Sequence, residues 1–276
     1  MSRDEASSGR IDGAPSTDAV DAGDAADGPD ILEEATALIT AANEAGVPVR
    51  LIGGLAVRYL TPSFPPRAHN RQDLDVASVS RVRSALGKLI ESLGYVPDKT
   101  FNALYGHKQL YFTSPATGRA LDVLIDKLEM CHTLEFADRI ERMPYTLDPT
   151  DLMLSKLQIV HLNEKDAQDL LYLLARFSLS DEDEPETIGL RRYRRVLGED
   201  WGWWRTVTLN LAKVRGLAEG ERTHLIPAGA PYDPVQQIRD LERHAEEAPK
   251  SLRWRIRAKI GERKRWYELP EETEHY

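Results

Sequence analysis

Apolar positions in this chain recur with two periods. Ile31, Leu32, Ala35, Leu38, Ile39 and Ala42 lie three and four apart, which predicts an amphipathic helix beginning near Pro29. Residues 47–52 form a short β-rich run that ends at Gly53-Gly54, and residues 55–60 can open a second helix. Leu74 and Val76 alternate with Asp73 and Asp75, the period of a strand. Residues 82–93 return to the helical period and stop at Gly94. Residues 107–112 and 120–125 read as two arms of a hairpin around a turn at 113–118. Short strand-like runs fill 133–147.

Beyond residue 147 the pattern is mostly helical. Pro149 sits at a helix start, followed by Leu152, Leu154, Leu157, Ile159 and Val160. Asn163, with Asp166 three residues on, reads as the N-cap of a helix that runs to about Phe177. Asp181-Glu-Asp-Glu-Pro185 reads as a solvated linker. Helical spacing resumes at Ile188 and is interrupted by Pro227, Gly229, Pro231 and Pro234. The expected class is α/β (α+β), with no internal repeat. It divides into an acidic tail at 1–28, an α/β core at 29–147 and a mostly helical C-terminal region at 148–276.

Composition narrows the function classes. The 276 residues carry a formal charge of -9, but residues 1–30 hold eight acids against two arginines, so the rest is close to balanced. Net charge therefore argues neither for nor against a nucleic-acid partner. Residues 1–28 are rich in Ala, Asp, Gly and Ser and are expected to be disordered. Cys131 is the only cysteine, which excludes an internal disulfide, a zinc ribbon and an iron–sulfur cluster. That usage fits a cytoplasmic protein. No apolar run approaches the roughly 18–20 residues of a membrane span, so no membrane partner is expected.

The candidate chemistry lies in three short segments: Gly53-Gly54, Asp73-Leu-Asp75 and Leu121-Asp122-Val123. Asp73 and Asp75 are two apart on a predicted strand, so they share a face. Two like charges on one face call for a cation, and hard carboxylate oxygens suit Mg²⁺. Asp122 sits on a second apolar strand, where a lone acid needs a partner. Three such carboxylates can hold two Mg²⁺ ions for in-line phosphoryl displacement. Asp126, four residues after Asp122, is a rival third carboxylate. Gly53-Gly54 lets backbone N–H groups approach a phosphate, with a helix N-terminus behind them. Neither a G-x-G-x-x-G fingerprint nor a phosphate-binding P-loop occurs in the chain.

Gly-Gly at a strand end, two acids alternating with apolar residues, and one acid on a later strand together resemble the DNA polymerase β-like nucleotidyltransferase superfamily. Lys156, followed by Lys165-Asp166-Ala-Gln-Asp169, is similar to the K…(K/R)-D-x-x-D helical motif of its AbiEii-type toxin branch. The run from Leu121 to His132 is similar to a group of bacterial nucleotidyltransferase-family proteins. The likeness covers about residues 35–177. It implies a nucleotidyltransferase-fold mixed sheet with flanking helices, and transfer of NMP from an NTP to a hydroxyl.

Residue by residue, the resemblance assigns Gly53 and Gly54 to the triphosphate, and Asp73 and Asp75 to Mg²⁺. Asp122 becomes the third metal-binding carboxylate, activating the acceptor. Lys156 would meet phosphate, and Asp166 would lie near the nucleotide or hold a basic group in place. A tRNA 3′ end is one implied acceptor, with the chain as toxin to an antitoxin protein. A small hydroxyl compound, as in aminoglycoside-modifying relatives, is another; a non-catalytic nucleotide- or partner-binding module is a third reading. Two features depart from the toxin pattern: His69 and Arg71 replace its Arg and Thr, and the gap from Gly54 to Asp73 is long.

Other residues have plainer readings. Cys131-His132 reads as a buried thiol beside a structural histidine. Trp201, Trp203 and Trp204 read as anchors of the helical region. Residues 249–267 hold eight Lys or Arg against Glu262, with Trp254, Trp266 and Tyr267 interleaved. That helix could track an RNA backbone and stack on bases. Alternatively, it is a solvated amphipathic helix whose tryptophans pack on the core, a reading supported by the helical spacing of Leu252, Ile256 and Ile260.

Overall fold

The computed structural model describes residues 30–66, 73–220 and 222–269. The expected acidic tail, His69 and Arg71 lie outside the described residues. Helix α1 (Ile31–Glu44) opens where Asp30 Oδ1 accepts the Leu32 N–H at 2.8 Å and buries Ala35, Leu38, Ile39 and Ala42, as the spacing predicts. Next come β1 (Arg50–Leu51), α2 (Gly53–Leu60), β2 (Leu74–Ser78), α3 (Arg83–Ser92), β3 (Val96–Pro97) and α4 (Lys99–Tyr105). The predicted hairpin is β4 (Gln109–Thr113) with β5 (Ala120–Ile125).

These strands form one mixed sheet in the order β1-β2-β5-β4-β3. β2 and β5 run parallel in its interior, and every other pairing is antiparallel. A parallel pair cannot be joined by a tight turn; here the connection is the long passage through α3, α4 and β4. One face of the two central strands is apolar: Leu74, Val76, Leu121 and Val123 are fully buried. The alternate positions carry Asp75 and Asp122.

Two sequence expectations change here. The β-rich run 47–52 yields only two ladder residues, in part because Pro48 has no N–H to donate. Helix α4 was not predicted. Phe101 is its only buried residue, so it shows no apolar period, and Asp98 starts it by accepting the Phe101 N–H at 2.8 Å.

A small hairpin, β6 (Lys127–Glu129) with β7 (Thr133–Glu135), leads to α5 (Pro149–Leu157) and α6 (Glu164–Arg176). Pro149 occupies the first turn of α5, and Asn163 Oδ1 caps α6 by accepting the Asp166 N–H at 2.9 Å, both as predicted. The chain continues through β8 (Leu179–Ser180), β9 (Ile188–Gly189), α7 (Leu190–Glu199), α8 (Trp201–Glu219), α9 (Pro234–Glu247) and α10 (Leu252–Ile260). Buried apolar side chains form one cluster from Ala35 to Ala245, so sheet and C-terminal helices share a core.

Ionic contacts reinforce that junction. Arg139 donates to Asp148 at 2.5 Å, to Asp151 at 2.6 Å and to Asp183 at 2.6 Å. Arg142 donates to Asp148 at 2.7 Å, and Arg192 to Asp151 at 3.1 Å. Burial first, then the Asp151 charge, pushes the Asp148 carboxyl up to about 6, against Arg139 and Arg142. The segment expected to be a solvated linker thus sends Asp183 between buried Arg139 and half-buried Arg142. A carboxylate within reach of two guanidinium forks gains more there than in water.

Candidate active site

The backbone brings the first two sequence motifs together. The Ile52 N–H donates to the Asp75 carbonyl at 3.0 Å, which sets the start of α2 beside the middle of β2. Gly53 has φ +64°, a conformation that side-chain-bearing residues rarely adopt. A Cβ at Gly53 would lie 3.1 Å from Asp75 Oδ2. Glycine is needed here on both counts, and its bare backbone opens onto a carboxylate.

The third motif arrives through strand register. β2 and β5 pair with Asp75 opposite Asp122, so the two carboxylates stand side by side on one face of the sheet. Asp75 is exposed and Asp122 half-buried. Asp73, just before β2 and also exposed, has the parity of that face. On the other side of β5, Tyr111 is opposite Asp122. Burial, then the charges of Asp73, Asp122 and Asp98, pushes the Tyr111 phenol up, which places it among these acids. Gln109 Nε2 donates to Asp122 Oδ1 at 2.6 Å.

Asp126 plays a different part. It has φ +65°, so β5 ends before it and the parity argument that made it a rival to Asp122 fails. Its Oδ1 accepts the Ser80 N–H at 2.9 Å, and its carbonyl accepts the N–H groups of Phe136 and Ala137. It is a corner residue at the far end of the strand.

Lys156 and Asp166 are brought together, with Asp169. The Lys156 ammonium lies 2.8 Å from Asp166 and 2.9 Å from Asp169. Burial alone would pull this lysine down, but the charges of Asp169 and Asp166 outweigh it and hold it above its ordinary value. Asp166 thus holds a basic group in place between α5 and α6. Helix α2, which Gly53 opens, packs against both of these helices.

Two hard carboxylates beside a glycine turn are a donor set that fits a divalent cation. Among the described residues, no third His, Cys, Asp or Glu side chain joins them into a three-residue metal group. A cleft of about 620 Å³, lined in part by Arg83, Lys99, His107, Leu110 and Phe112, lies away from the acids. Leu110 and Phe112 alternate with Gln109 and Tyr111, so it opens on the opposite side of β4.

The remaining expectations resolve by packing. Cys131 is buried and accepts the Val160 N–H at 3.5 Å. His132 Nε2 meets Thr206 Oγ1 at 2.8 Å, and its ring lies 5.2 Å from that of Trp203. Burial pushes the His132 imidazole down to about 4, with Asp200 opposing weakly. Trp254 of α10 packs edge-on against Trp204, and Trp266, beyond the end of α10, against Trp201. Those rings face protein, whereas Leu252, Ile256 and Ile260 are 73%, 57% and 42% exposed. The helical spacing of those three residues is real, but it marks the outer face of the helix.

The sequence motifs did not include Gln109 or Tyr111. Their signal was the hairpin itself: a turn at 113–118 sets Tyr111 opposite Asp122 and Gln109 two residues along the same face. No known protein family and no curated protein matches this chain.

Proposed function

We propose that the chain is a Mg²⁺-dependent nucleotidyltransferase that moves NMP from an NTP to a hydroxyl acceptor. The observation that carries this reading is the side-by-side register of Asp75 and Asp122, with Gly53 opening onto Asp75. Asp75 and Asp122 would hold the metal, with Asp73 on the approach to them. Bound there, Mg²⁺ would neutralise phosphate charge; the resemblance implies two such ions, which would draw on all three acids.

The chain's own residues supply the rest. Gly53 and Gly54 leave room for phosphate oxygens to reach backbone N–H groups at the start of α2. Asp122 would accept the proton of an attacking hydroxyl. Lys156, held by Asp166 and Asp169, braces the α5–α6 pair behind α2. In this chemistry positioning and charge neutralisation carry most of the rate. The acceptor we favour is an RNA 3′ end, such as that of a tRNA, with a toxin role and an antitoxin partner following from the same resemblance. The test is label transfer from each α-³²P-NTP, with Mg²⁺ and total bacterial RNA. A labelled tRNA-sized band that is lost in Asp73→Ala/Asp75→Ala supports this reading; NTP consumption that ignores RNA points to a small-molecule acceptor.

A second reading is a nucleotide-binding or partner-binding module without turnover. It is favoured by the lack, among the described residues, of a third ligand converging with Asp75 and Asp122. Nucleotide binding with no NTP consumption in Mg²⁺ or Mn²⁺ supports it.

A further inference from the structure

Gln109 lies at the edge of this face, outside the sequence motifs. It sits two residues before Tyr111, the residue opposite Asp122, and therefore faces the same side of the sheet. Its strand is paired with β5 along its whole length, Gln109 lying opposite Leu124, which sets its backbone position beside the Asp122 strand. Its side-chain amide donates to Asp122 Oδ1 at 2.6 Å, a short contact for an N–H donor.

We propose that Gln109 is a positioning residue, which fixes the Asp122 carboxylate in the orientation that a divalent cation and the acceptor hydroxyl require. The inference rests on the nucleotidyltransferase reading of the Asp75–Asp122 face. A carboxylate on a strand turns about two side-chain bonds, and a metal ligand that turns loses affinity. The choice of an amide matters. A lysine or arginine at position 109 would orient Asp122 too, but its positive charge would repel a cation at the same oxygens. A neutral N–H donor holds one oxygen while leaving the negative charge of the carboxylate in place. Because Nε2 must face Asp122, the Gln109 carbonyl oxygen faces away from it. The contact therefore assigns the orientation of both side chains.

The test is Mn²⁺ titration of the full chain, read by electron paramagnetic resonance, with thermal melting of each variant as a control for folding. Gln109→Met keeps the length of the side chain and removes the donor. It is expected to weaken Mn²⁺ binding about 10–100-fold. Asp122→Asn is expected to weaken it at least as much. The double variant Gln109→Met/Asp122→Asn is expected to be no weaker than Asp122→Asn alone, because the amide acts only through that carboxylate. A purely structural role would make the two losses add.

If Gln109→Met binds Mn²⁺ as tightly as the unsubstituted chain, or if the losses add, the positioning role is overturned, whether or not NMP is transferred. If the unsubstituted chain binds no Mn²⁺, both the role and the metal-dependent reading fall. If Mn²⁺ binding follows the predicted pattern but no NTP is consumed, the transfer reading falls and the positioning role stands.

Discussion

Two groups of aspartates in this molecule use the same chemical group to opposite ends. Asp148, Asp151 and Asp183 lie where α5 and the 181–185 segment meet, and each is answered by Arg139, Arg142 or Arg192. Asp148 and Asp151 are almost completely removed from solvent. Asp73 and Asp75 are exposed, and Asp122 takes a neutral amide from Gln109. The first group is an electrostatic joint that balances its own charge. The second sits beside the glycine turn at Gly53. The buried carboxylates are held by guanidinium forks; the accessible ones are those we propose for metal binding.

Substitutions in the two groups should therefore read out in different experiments. The largest expected effect on stability comes from Arg139→Leu. It leaves Asp148 to Arg142 alone and Asp151 to Arg192 alone in a dry site, a loss of about 3–5 kcal/mol, measured by urea unfolding. Asp75→Asn should do the reverse. Unfolding should be nearly unchanged because the side chain is exposed, while NMP transfer should fall by about 10³-fold, the equivalent of several kcal/mol of lost charge stabilisation. A stability loss in Asp75→Asn comparable to that of Arg139→Leu would erase the distinction.

Gly53→Ala probes the turn between these extremes. The positive φ costs a side-chain-bearing residue about 1–2 kcal/mol, and the new methyl would press on Asp75 Oδ2. Both stability and nucleotide binding should drop, whereas Gly46→Ala, which also has positive φ but open space around it, should lose stability alone.

A pH dependence is the last test. His132 takes up its proton near pH 6.5 when unfolded but only near 4 when folded. Between those values the unfolded chain binds more protons, so this residue's contribution is complete above about pH 6.5 and is lost as pH falls toward 4. The loss is at most about 3 kcal/mol. Asp148 works in the opposite direction over an overlapping range, because its folded carboxyl is raised to about 6. The measurement is thus a difference: unfolding free energy of the unsubstituted chain minus that of His132→Gln, from pH 7 to pH 4. The difference should shrink on acidification; a flat difference would contradict the buried neutral imidazole.

How much of this was legible in the sequence follows from which interactions are local. Helix α1 was readable from its apolar spacing and α6 from its capping residue, signals that lie within a dozen positions. The β4–β5 hairpin was readable for the same reason. Gly53-Gly54, Asp75 and Asp122 were recognisable as a set by their order, but the Asp75–Asp122 register was not, since it depends on a parallel pairing across the long β2–β5 connection. Asp126 read as a rival to Asp122, and its positive φ, which ends the strand, sets it apart. Asp183 looked like solvated linker because Arg139 and Arg142 are some forty residues away. On α10, the pattern of Leu252, Ile256 and Ile260 gave the right period and the wrong side, because Trp254 claims the inner face.

The central claim is that the Asp75–Asp122 face, and not the arginine-bound group, is the site open to a metal. Substoichiometric Mn²⁺ added to ¹⁵N-labelled protein tests it directly, because the paramagnetic ion broadens amide signals near its site. We predict selective loss of the Gly53, Gly54, Asp75, Gln109 and Asp122 signals, with those of Asp148, Asp151 and Asp183 unaffected. Broadening centred on Asp148 and Asp183, or none at all around Gly53 and Asp75, would contradict the account.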